Sequence, residues 1–277
     1  MGHGKLRKFA ENETFRCLLQ PSAQEVLADG FFNLRDHEVK GHWNGTMFDA
    51  PRPIVLELGC GKGEYTIDLA QRNPDCNYIG VDIKGARLWK GAKYATQHNL
   101  GNVAFLRTRI EFITAYFAPG EVSEIWLTFS DPQFRSENSR LTSPLFLERY
   151  CSFLKPGGIV HLKTDSMFLH QYSRAVAERN GLRILGCTED LYGTPRKAFA
   201  ALPSETVDAL YEVQTFYEKM FLEQGYKITY LSFVIDHDGP YEYPTDFDEE
   251  YWRGIEGPRL LFGHDSAETR RQKLHSD

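Results

Sequence analysis

Short apolar runs alternate with amphipathic stretches along most of the chain. Apolar runs bounded by Gly, Pro, Asn or Asp predict strands at residues 53–58, 77–82, 102–106, 124–129, 158–164, 182–190 and 226–236. Helical periodicity between and after these runs predicts helices at residues 63–72, 84–99, 142–154, 166–180 and 204–224. Repeated strand and helix alternation is typical of a mostly parallel sheet with helices on both faces. We therefore predict an α/β fold with a seven-stranded sheet.

The pattern weakens at both ends of the chain. Residues 1–50 have no clear period, which predicts an irregular N-terminal arm with one short helix. Residues 51–236 form the predicted domain, and residues 237–277 form an acidic C-terminal tail that we expect to lie on the surface or to be partly disordered. We find no run of 18 apolar residues and no secretory leader, so we expect a cytoplasmic protein that does not enter a membrane.

The net charge of −6 is unevenly distributed. Residues 236–277 contain 11 acidic and 5 basic residues, which leaves 27 of each in residues 1–235. A neutral body can still carry a basic face, so the net charge does not exclude a nucleic-acid partner. The five cysteines form no C-x-x-C pair and the nine histidines have no ligand spacing, so we expect reduced thiols and no bound metal.

A glycine-rich turn joins the first predicted strand to a helix in "VLELGCGKGEYTIDLA". Gly59, Gly61 and Gly63 permit a tight turn and a close approach of a ligand to the backbone. Glu57 lies two residues before the first glycine, and a carboxylate there disfavours a diphosphate but suits a ligand with an ammonium and a sulfonium group. S-adenosyl-L-methionine is such a ligand. Asp82 ends the next strand, where a carboxylate can accept both ribose hydroxyls.

Two alternatives to a methyl-donor site stay open from these residues alone. Glu57 and Asp82 can be simple caps of strand ends. A nicotinamide dinucleotide enzyme also uses a glycine-rich turn followed by an acidic residue.

A second acidic position follows the strand in "EIWLTFSDPQFR", residues 124–135. Pro132 cannot donate to a sheet, so the strand must end before it and Asp131 lies at its carboxyl edge. Ligands of open parallel sheets bind at that edge. The alternative is that Asp131 only caps the end of the strand.

Five stretches carry a resemblance to a known family: "ELGCGKG", "YIGVDIKGARLWKGA", "SDPQ", "FLKPGGIVHLKTD" and "VQTFYE". In this order they resemble the bacterial tRNA (guanine-N7)-methyltransferases, over about residues 50–235. The resemblance implies a Rossmann-like, class I S-adenosylmethionine-dependent methyltransferase fold. It also implies S-adenosyl-L-methionine as cofactor, tRNA as partner and a variable-loop guanine, conventionally position 46, as substrate.

The resemblance assigns roles residue by residue. Glu57, Asp82 and Asp131 fall at methyl-donor positions, with Asp131 also nearest the chemistry and therefore the catalytic candidate. Arg109 stands where the family commonly has an acid over the adenine, so Glu111 or the backbone is an alternative contact. The implied substrate contacts are Arg135, Asp165, Thr215 and Glu218.

The chain departs from the family after Asp131, where a basic run is replaced by "RSENSRL". Arg135 and Arg140 are the basic residues left there, and both can be ordinary solvated charges. Asp165 can instead cap the helix that begins near Ser166. Thr215 and Glu218 share one face of the predicted helix, as a joint substrate contact requires, but they can also form a plain exposed face.

The chemistry implied by the resemblance needs no general base. Guanine N7 offers a lone pair and carries no proton, so catalysis rests on placement and on a carboxylate that accepts the N1 and N2 hydrogens. Candidate phosphate contacts are Arg135, Arg140, Arg196, Lys197, Lys5, Arg7 and Lys8. A methyltransferase acting on another RNA or a small molecule, and a non-catalytic nucleic-acid module, are the alternative functions. We expect a monomer or a homodimer.

Overall fold

The computed structural model describes residues 3–237 and 239–263. Its centre is one sheet whose strands are β1 (Leu18–Leu19), β2 (Ile54–Leu58), β3 (Asn77–Asp82), β4 (Val103–Arg107), β5 (Val122–Thr128), β6 (Leu154–Thr164), β7 (Ile184–Thr188) and β8 (Thr229–Ile235). The strand order is β1-β4-β3-β2-β5-β6-β8-β7. β8 runs antiparallel to β6 and β7, and the other pairs are parallel. This confirms the Rossmann-like α/β prediction.

The prediction of seven strands is wrong by one. The additional strand is β1, in the N-terminal arm, and it pairs Leu18 with Phe105 and Leu19 with Leu106 at the edge of the sheet. A two-residue strand is too short to produce an alternating pattern, so the sequence carries no periodic signal for it.

Helices cover both faces of the sheet. They are α1 (His3–Asn12), α2 (Ala23–Val26), α3 (Trp43–Thr46), α4 (Glu64–Arg72), α5 (Gly85–Gln97), α6 (Pro144–Cys151), α7 (Met167–Arg179), α8 (Ser204–Glu212), α9 (Phe216–Glu223) and α10 (Glu249–Gly263). Alternate residues of each strand enter opposite cores, as the pleat requires. In β5, Ile125 and Leu127 pack with α6 and α7, whereas Trp126 packs with α4 and α8. No helix in the described ranges is long and apolar enough to cross a membrane.

The single helix predicted over residues 204–224 is two helices. Val213 leaves helical geometry with φ −87° and ψ 112°, and Thr215 then caps the N-terminus of α9. The Thr215 hydroxyl accepts a hydrogen bond from the backbone N–H of Glu218 at 3.2 Å. A Thr followed three residues later by Glu is a helix-start signal, which the periodicity obscured.

The N-terminal arm and the described part of the tail contain more regular structure than the sequence predicts. The arm contains α1, α2 and α3 in place of one short helix, and α1 packs against α5. The tail runs over the surface and forms α10, which packs against α7. Residues 264–277 of the predicted tail lie outside the described residues.

Candidate functional site

The glycine-rich turn between β2 and α4 forms a tight, open-fronted loop. Gly59, Gly61 and Gly63 have φ angles of 80°, 56° and 71°, in the left-handed region that favours glycine. A Cβ atom at Gly63 would lie 2.5 Å from the Phe105 ring, whereas one at Gly59 or Gly61 would meet no atom within 4 Å. Gly63 therefore allows close packing behind the loop, and the other two glycines face open space where a ligand can approach the backbone.

Asp82 holds this loop from the neighbouring strand. Its Oδ2 accepts a hydrogen bond from the Gly61 N–H at 3.0 Å, and its Oδ1 accepts one from the Lys84 N–H at 2.6 Å. The side chain is 8% exposed. A carboxylate has about four acceptor sites, so two stay available for hydroxyl groups of a ligand.

Glu57 lies beneath the loop and is 3% exposed. Its Oε2 accepts hydrogen bonds from the Thr66 hydroxyl and from the Thr66 N–H, the latter at 2.8 Å, and its Oε1 accepts one from the Thr128 hydroxyl at 2.5 Å. Burial raises the pKa of Glu57 to about 7, although these hydrogen bonds favour the ionised form. Glu57 therefore braces β2, β5 and α4 and retains a carboxyl group that a nearby cation would ionise.

Asp131 lies at the same edge of the sheet, because β2 and β5 are adjacent parallel strands. β5 ends at Thr128, and Phe129 and Gln133 then adopt φ angles of 52° and 51°. Positive φ is uncommon for such residues and marks a constrained turn. The Asp131 side chain is exposed, and its Oδ1 accepts a hydrogen bond from the Gln133 N–H at 2.9 Å. The turn therefore presents this carboxylate to solvent beside the glycine-rich loop.

Asp165 is half-buried directly after β6, on the strand next to β5. It does not cap α7, so that alternative is wrong. The N-cap is Ser166, whose hydroxyl accepts a hydrogen bond from the Leu169 N–H at 3.1 Å. A Ser and an Asp in succession offer two equivalent N-cap candidates, and the sequence does not choose between them.

Glu218 is fully buried, so the alternative of an exposed helix face is wrong for this residue. Its Oε1 lies 2.8 Å from the Lys163 ammonium and accepts a hydrogen bond from the Tyr192 hydroxyl at 2.6 Å. Lys163 also donates to the carbonyl oxygens of Leu210 and Val213 at 2.8 and 3.0 Å, and burial lowers its pKa. Lys163 is not among the site residues that the sequence predicts. A lysine inside the apolar run of β6 was the available signal, since buried lysines need partners.

The two arginines after Asp131 have different environments. Arg135 is exposed. Arg140 is fully buried, with its guanidinium 4.7 and 4.4 Å from the ring centroids of Phe168 and Tyr172 and its Nη2 3.0 Å from Glu249 Oε1. The prediction that Arg140 contacts phosphate, and its alternative as a solvated charge, are therefore both wrong.

Arg109 and Glu111 follow β4, next to the strand that carries Asp82. The exposed Arg109 forms an ion pair with Glu111 at 2.9 Å, so each of the two side chains already has the other as a partner. Within the described residues, no group of three or more His, Cys, Asp or Glu side chains is arranged to hold a metal ion.

Comparison with known proteins assigns the family. Residues 51–226 match the model of a family described as putative methyltransferases. A tRNA (guanine-N(7)-)-methyltransferase of Christiangramia forsetii is 50% identical over 83% of this chain and 97% of its own length. One from Bacteroides thetaiotaomicron is 46% identical over 88% of this chain and 90% of its own. The chain belongs to the tRNA (guanine-N(7)-)-methyltransferase family.

Solved methyltransferase structures align at lower similarity. An antibiotic-related methyltransferase covers 68% of this chain and 88% of its own, at 20% identity and a TM-score of 0.47. The family's methyl donor, S-adenosyl-L-methionine, fits the residues at the carboxyl edge. The glycine turn is open to a ligand, Asp82 has free acceptor capacity for hydroxyls, and the buried carboxyl of Glu57 would complement positive charge.

Proposed function

We propose that the protein transfers a methyl group from S-adenosyl-L-methionine to N7 of a variable-loop guanine, position 46, in tRNA. The observation that carries the proposal is one shared edge of the sheet. The glycine-rich loop, residues 59–63, is named the donor loop. With Glu57 and Asp82 it lies at this edge beside the exposed carboxylate of Asp131. The close relatives named above support the guanine and the tRNA. A tRNA substrate also supports a cytoplasmic location.

The donor supplies a methyl group on a positively charged sulfur. Asp82 accepts hydrogen bonds from the ribose hydroxyls while it fixes Gly61 and Lys84 by their backbone N–H groups. Glu57 stabilises the donor's positive charge from below the loop. The turn at Gly59 and Gly61 lets the donor lie directly on the backbone, where a side chain would otherwise intervene.

Asp131 acts on the guanine and on charge that develops during transfer. As methyl moves, positive charge passes from sulfur to the purine, and a fixed carboxylate at this edge stabilises that charge. The same carboxylate accepts hydrogen bonds from N1–H and N2–H of the base, which selects guanine and turns N7 toward the donor. Because its Oδ1 is held by the Gln133 N–H, Asp131 keeps its orientation without help from the substrate.

Arg135, Asp165, Thr215 and Glu218 support the substrate side in different ways. Arg135 is exposed three residues beyond Pro132 and is positioned to meet a phosphate. Asp165 lies at the end of β6, beside the Asp131 turn. Thr215 and Glu218 act indirectly: they fix the start of α9, which presents Phe216 and Tyr217 to solvent at 57% and 41% exposure. Exposed aromatic rings at a site edge suit stacking on an unpaired base.

A basic face formed by α1 and α5 provides further phosphate contacts. The two helices are joined by the Trp89 indole, which donates to Glu11 at 2.7 Å and lies under the Lys8 ammonium at 4.6 Å. The basic residues here are Lys5, Arg7 and Lys8 of α1, Arg87, Lys90 and Lys93 of α5, and Lys84 at the N-cap of α5; Arg7 and Lys93 pair with Glu11, and Lys90 pairs with Glu64. Lys84 lies two residues after Asp82, so the face reaches the donor edge and can bind the tRNA backbone there.

The test is incubation with labelled donor and unmodified tRNA, followed by nucleoside analysis and chain cleavage with borohydride and aniline. We expect N7-methylguanosine at one variable-loop position, and no product on a tRNA in which that guanine is replaced by adenine. Asp131→Asn should bind the donor moderately well and transfer methyl about 10²–10³ times more slowly, because it loses preorganised charge. The matched control is Asp75→Asn, because Asp75 is also an exposed aspartate but precedes β3, at the amino ends of the parallel strands. Methyl on another atom, or normal turnover by Asp131→Asn, would refute the proposal.

A further inference from the structure

The acidic tail is tied to the protein at two ends of α7. At the C-terminal end, the Asn180 side chain exchanges hydrogen bonds of 2.9 and 2.7 Å with the backbone of Glu242. At the N-terminal end, the Glu256 carboxylate accepts from the Ser166 hydroxyl at 2.6 Å and from the N–H groups of Met167 and Phe168 at 2.7 and 3.1 Å. A carboxylate at a helix N-terminus satisfies orphan donors and complements the helix dipole. Glu256 is 4% exposed, so α10 is a packed part of the domain.

The same tail contacts the segment that follows Asp131. We name residues 131–140 the substrate loop, because it carries Asp131 and Arg135. The Arg253 guanidinium donates to the Phe134 carbonyl at 2.7 Å. The Tyr243 hydroxyl donates to Asn138 Oδ1 at 2.5 Å. Glu249 lies 3.0 Å from Arg140, and the tail therefore contacts the loop at its beginning, middle and end.

The substrate loop has little regular structure to hold it in place. It contains a 3₁₀ turn of three residues, Glu137–Ser139, and a positive-φ residue, Gln133, directly after Pro132. Inside the domain, its anchors are Phe134, 4.4 Å from the Phe168 ring, and Arg140 between aromatic rings. Burying the Arg140 charge is costly without an ionic partner, and Glu249 of α10 is the nearer of its two.

We propose that the tail, through Arg253, Tyr243 and Glu249, positions the substrate loop so that Asp131 and Arg135 meet the tRNA in a fixed arrangement. These tail residues are positioning residues, since none of them touches the donor loop. The inference rests on the proposed function and adds to it a role for a segment that follows the last strand of the sheet. It also explains why an acidic tail is compatible with an RNA substrate. Glu249 pairs with Arg140, and Glu256 accepts hydrogen bonds at the N-terminus of α7, so both carboxylates face the domain.

The decisive variant is Arg253→Met, which keeps the aliphatic stem and removes both the donor to Phe134 and the ion pair with Glu249. Its matched control is Arg179→Met. Arg179 pairs with Glu242 and so also joins the tail to the domain, with 45% side-chain exposure against 48% for Arg253, but it does not contact the substrate loop. Arg253→Lys restores a cationic donor that can reach a carbonyl.

We expect Arg253→Met to lower kcat/KM for tRNA about tenfold, the ratio given by ~1.4 kcal/mol of lost ordering. The donor Kd and the shift in Tm should match those of Arg179→Met, and Arg253→Lys should recover most of the loss. Tyr243→Phe, which removes only a hydroxyl, should reduce kcat/KM in the same direction and by less. Equal kcat/KM values for Arg253→Met and Arg179→Met, in a wild-type enzyme that makes N7-methylguanosine, would overturn this inference alone. Absence of that product from the wild type would instead refute the proposed function.

Discussion

Protonation of Glu57 should control the affinity for the methyl donor. In the free protein its pKa is about 7, raised from 4.5 mainly by burial. The donor brings a sulfonium and an ammonium group to the loop above this carboxyl, and nearby positive charge lowers a carboxyl pKa. Binding should therefore release a proton from Glu57 near neutral pH, and donor affinity should rise as the pH rises through that range.

The magnitude follows from the free-state pKa. If the bound form is fully ionised, the apparent Kd scales with 1 + 10^(pKa − pH), which is about 11 at pH 6 and about 2 at pH 7. Affinity should therefore increase about fivefold over that interval, with about half a proton released per donor at pH 7. The donor's own amino group titrates near pH 8, so measurements should stay at or below about pH 7.

Calorimetry in two buffers of different ionisation enthalpy measures this proton release directly. Glu57→Gln keeps the size and planar shape of the side chain but cannot ionise. The affinity of this variant for the donor should therefore not change over the same pH interval. The pH dependence of the stability of the free protein gives an independent check on the direction of the Glu57 pKa shift. A raised pKa stabilises the fold below the unfolded value of 4.5, and this contribution is lost as the pH rises through about 7. Equal proton release in wild type and Glu57→Gln would refute the reasoning.

Three further outcomes are expected. Asp82→Ala should weaken donor binding by about 1.5–3 kcal/mol in a folded protein, because the ribose hydroxyls lose a charged acceptor, and unchanged affinity in calorimetry would contradict that role. Binding of tRNA should weaken steeply with salt in a filter titration despite the net charge of −6, and a flat response would argue against phosphate contacts at the α1–α5 face. Lys163→Met should cost about 3–5 kcal/mol in denaturant unfolding by leaving Glu218 buried and unpaired. Lys163→Met combined with Glu218→Leu should recover part of that loss, and equal stability of the single and double variants would contradict the pairing.

Periodicity predicted the parts of the fold that repeat. Strands β2 to β6 and their connecting helices carry clear alternation between strand and helix patterns, and the structure places them within a few residues of the predicted bounds. The wrong predictions concern short features that have little or no repeating hydrophobic pattern. β1 is two residues long, and the break between α8 and α9 spans only Val213, Gln214 and Thr215, of which Val213 keeps a buried apolar position. Only the capping signal at Thr215 distinguishes two helices from one.

The side-chain errors have a common physical origin. The sequence predicts a phosphate contact or a solvated charge for Arg140, and a substrate contact or an exposed helix face for Glu218. Burial is not the expectation for either residue, because charged residues are rarely buried without a partner. Each is buried because another element supplies that partner: α10 supplies Glu249 for Arg140, and β6 supplies Lys163 for Glu218. The partners lie 109 and 55 residues away in the chain, so no local pattern predicts the pairing.

Three carboxylates lie at one edge of the sheet but differ in their exposure to solvent. The sequence predicts that Glu57, Asp82 and Asp131 gather there, because they end or follow adjacent strands. Their exposures differ, since Glu57 is 3% exposed, Asp82 is 8% exposed and Asp131 is open to solvent. A buried carboxyl can balance a cation but cannot reach an incoming base, whereas an exposed one can meet the base without a large desolvation cost. On the proposed function, this graded exposure would place Glu57 beneath the donor, Asp82 beside its ribose and Asp131 toward the guanine.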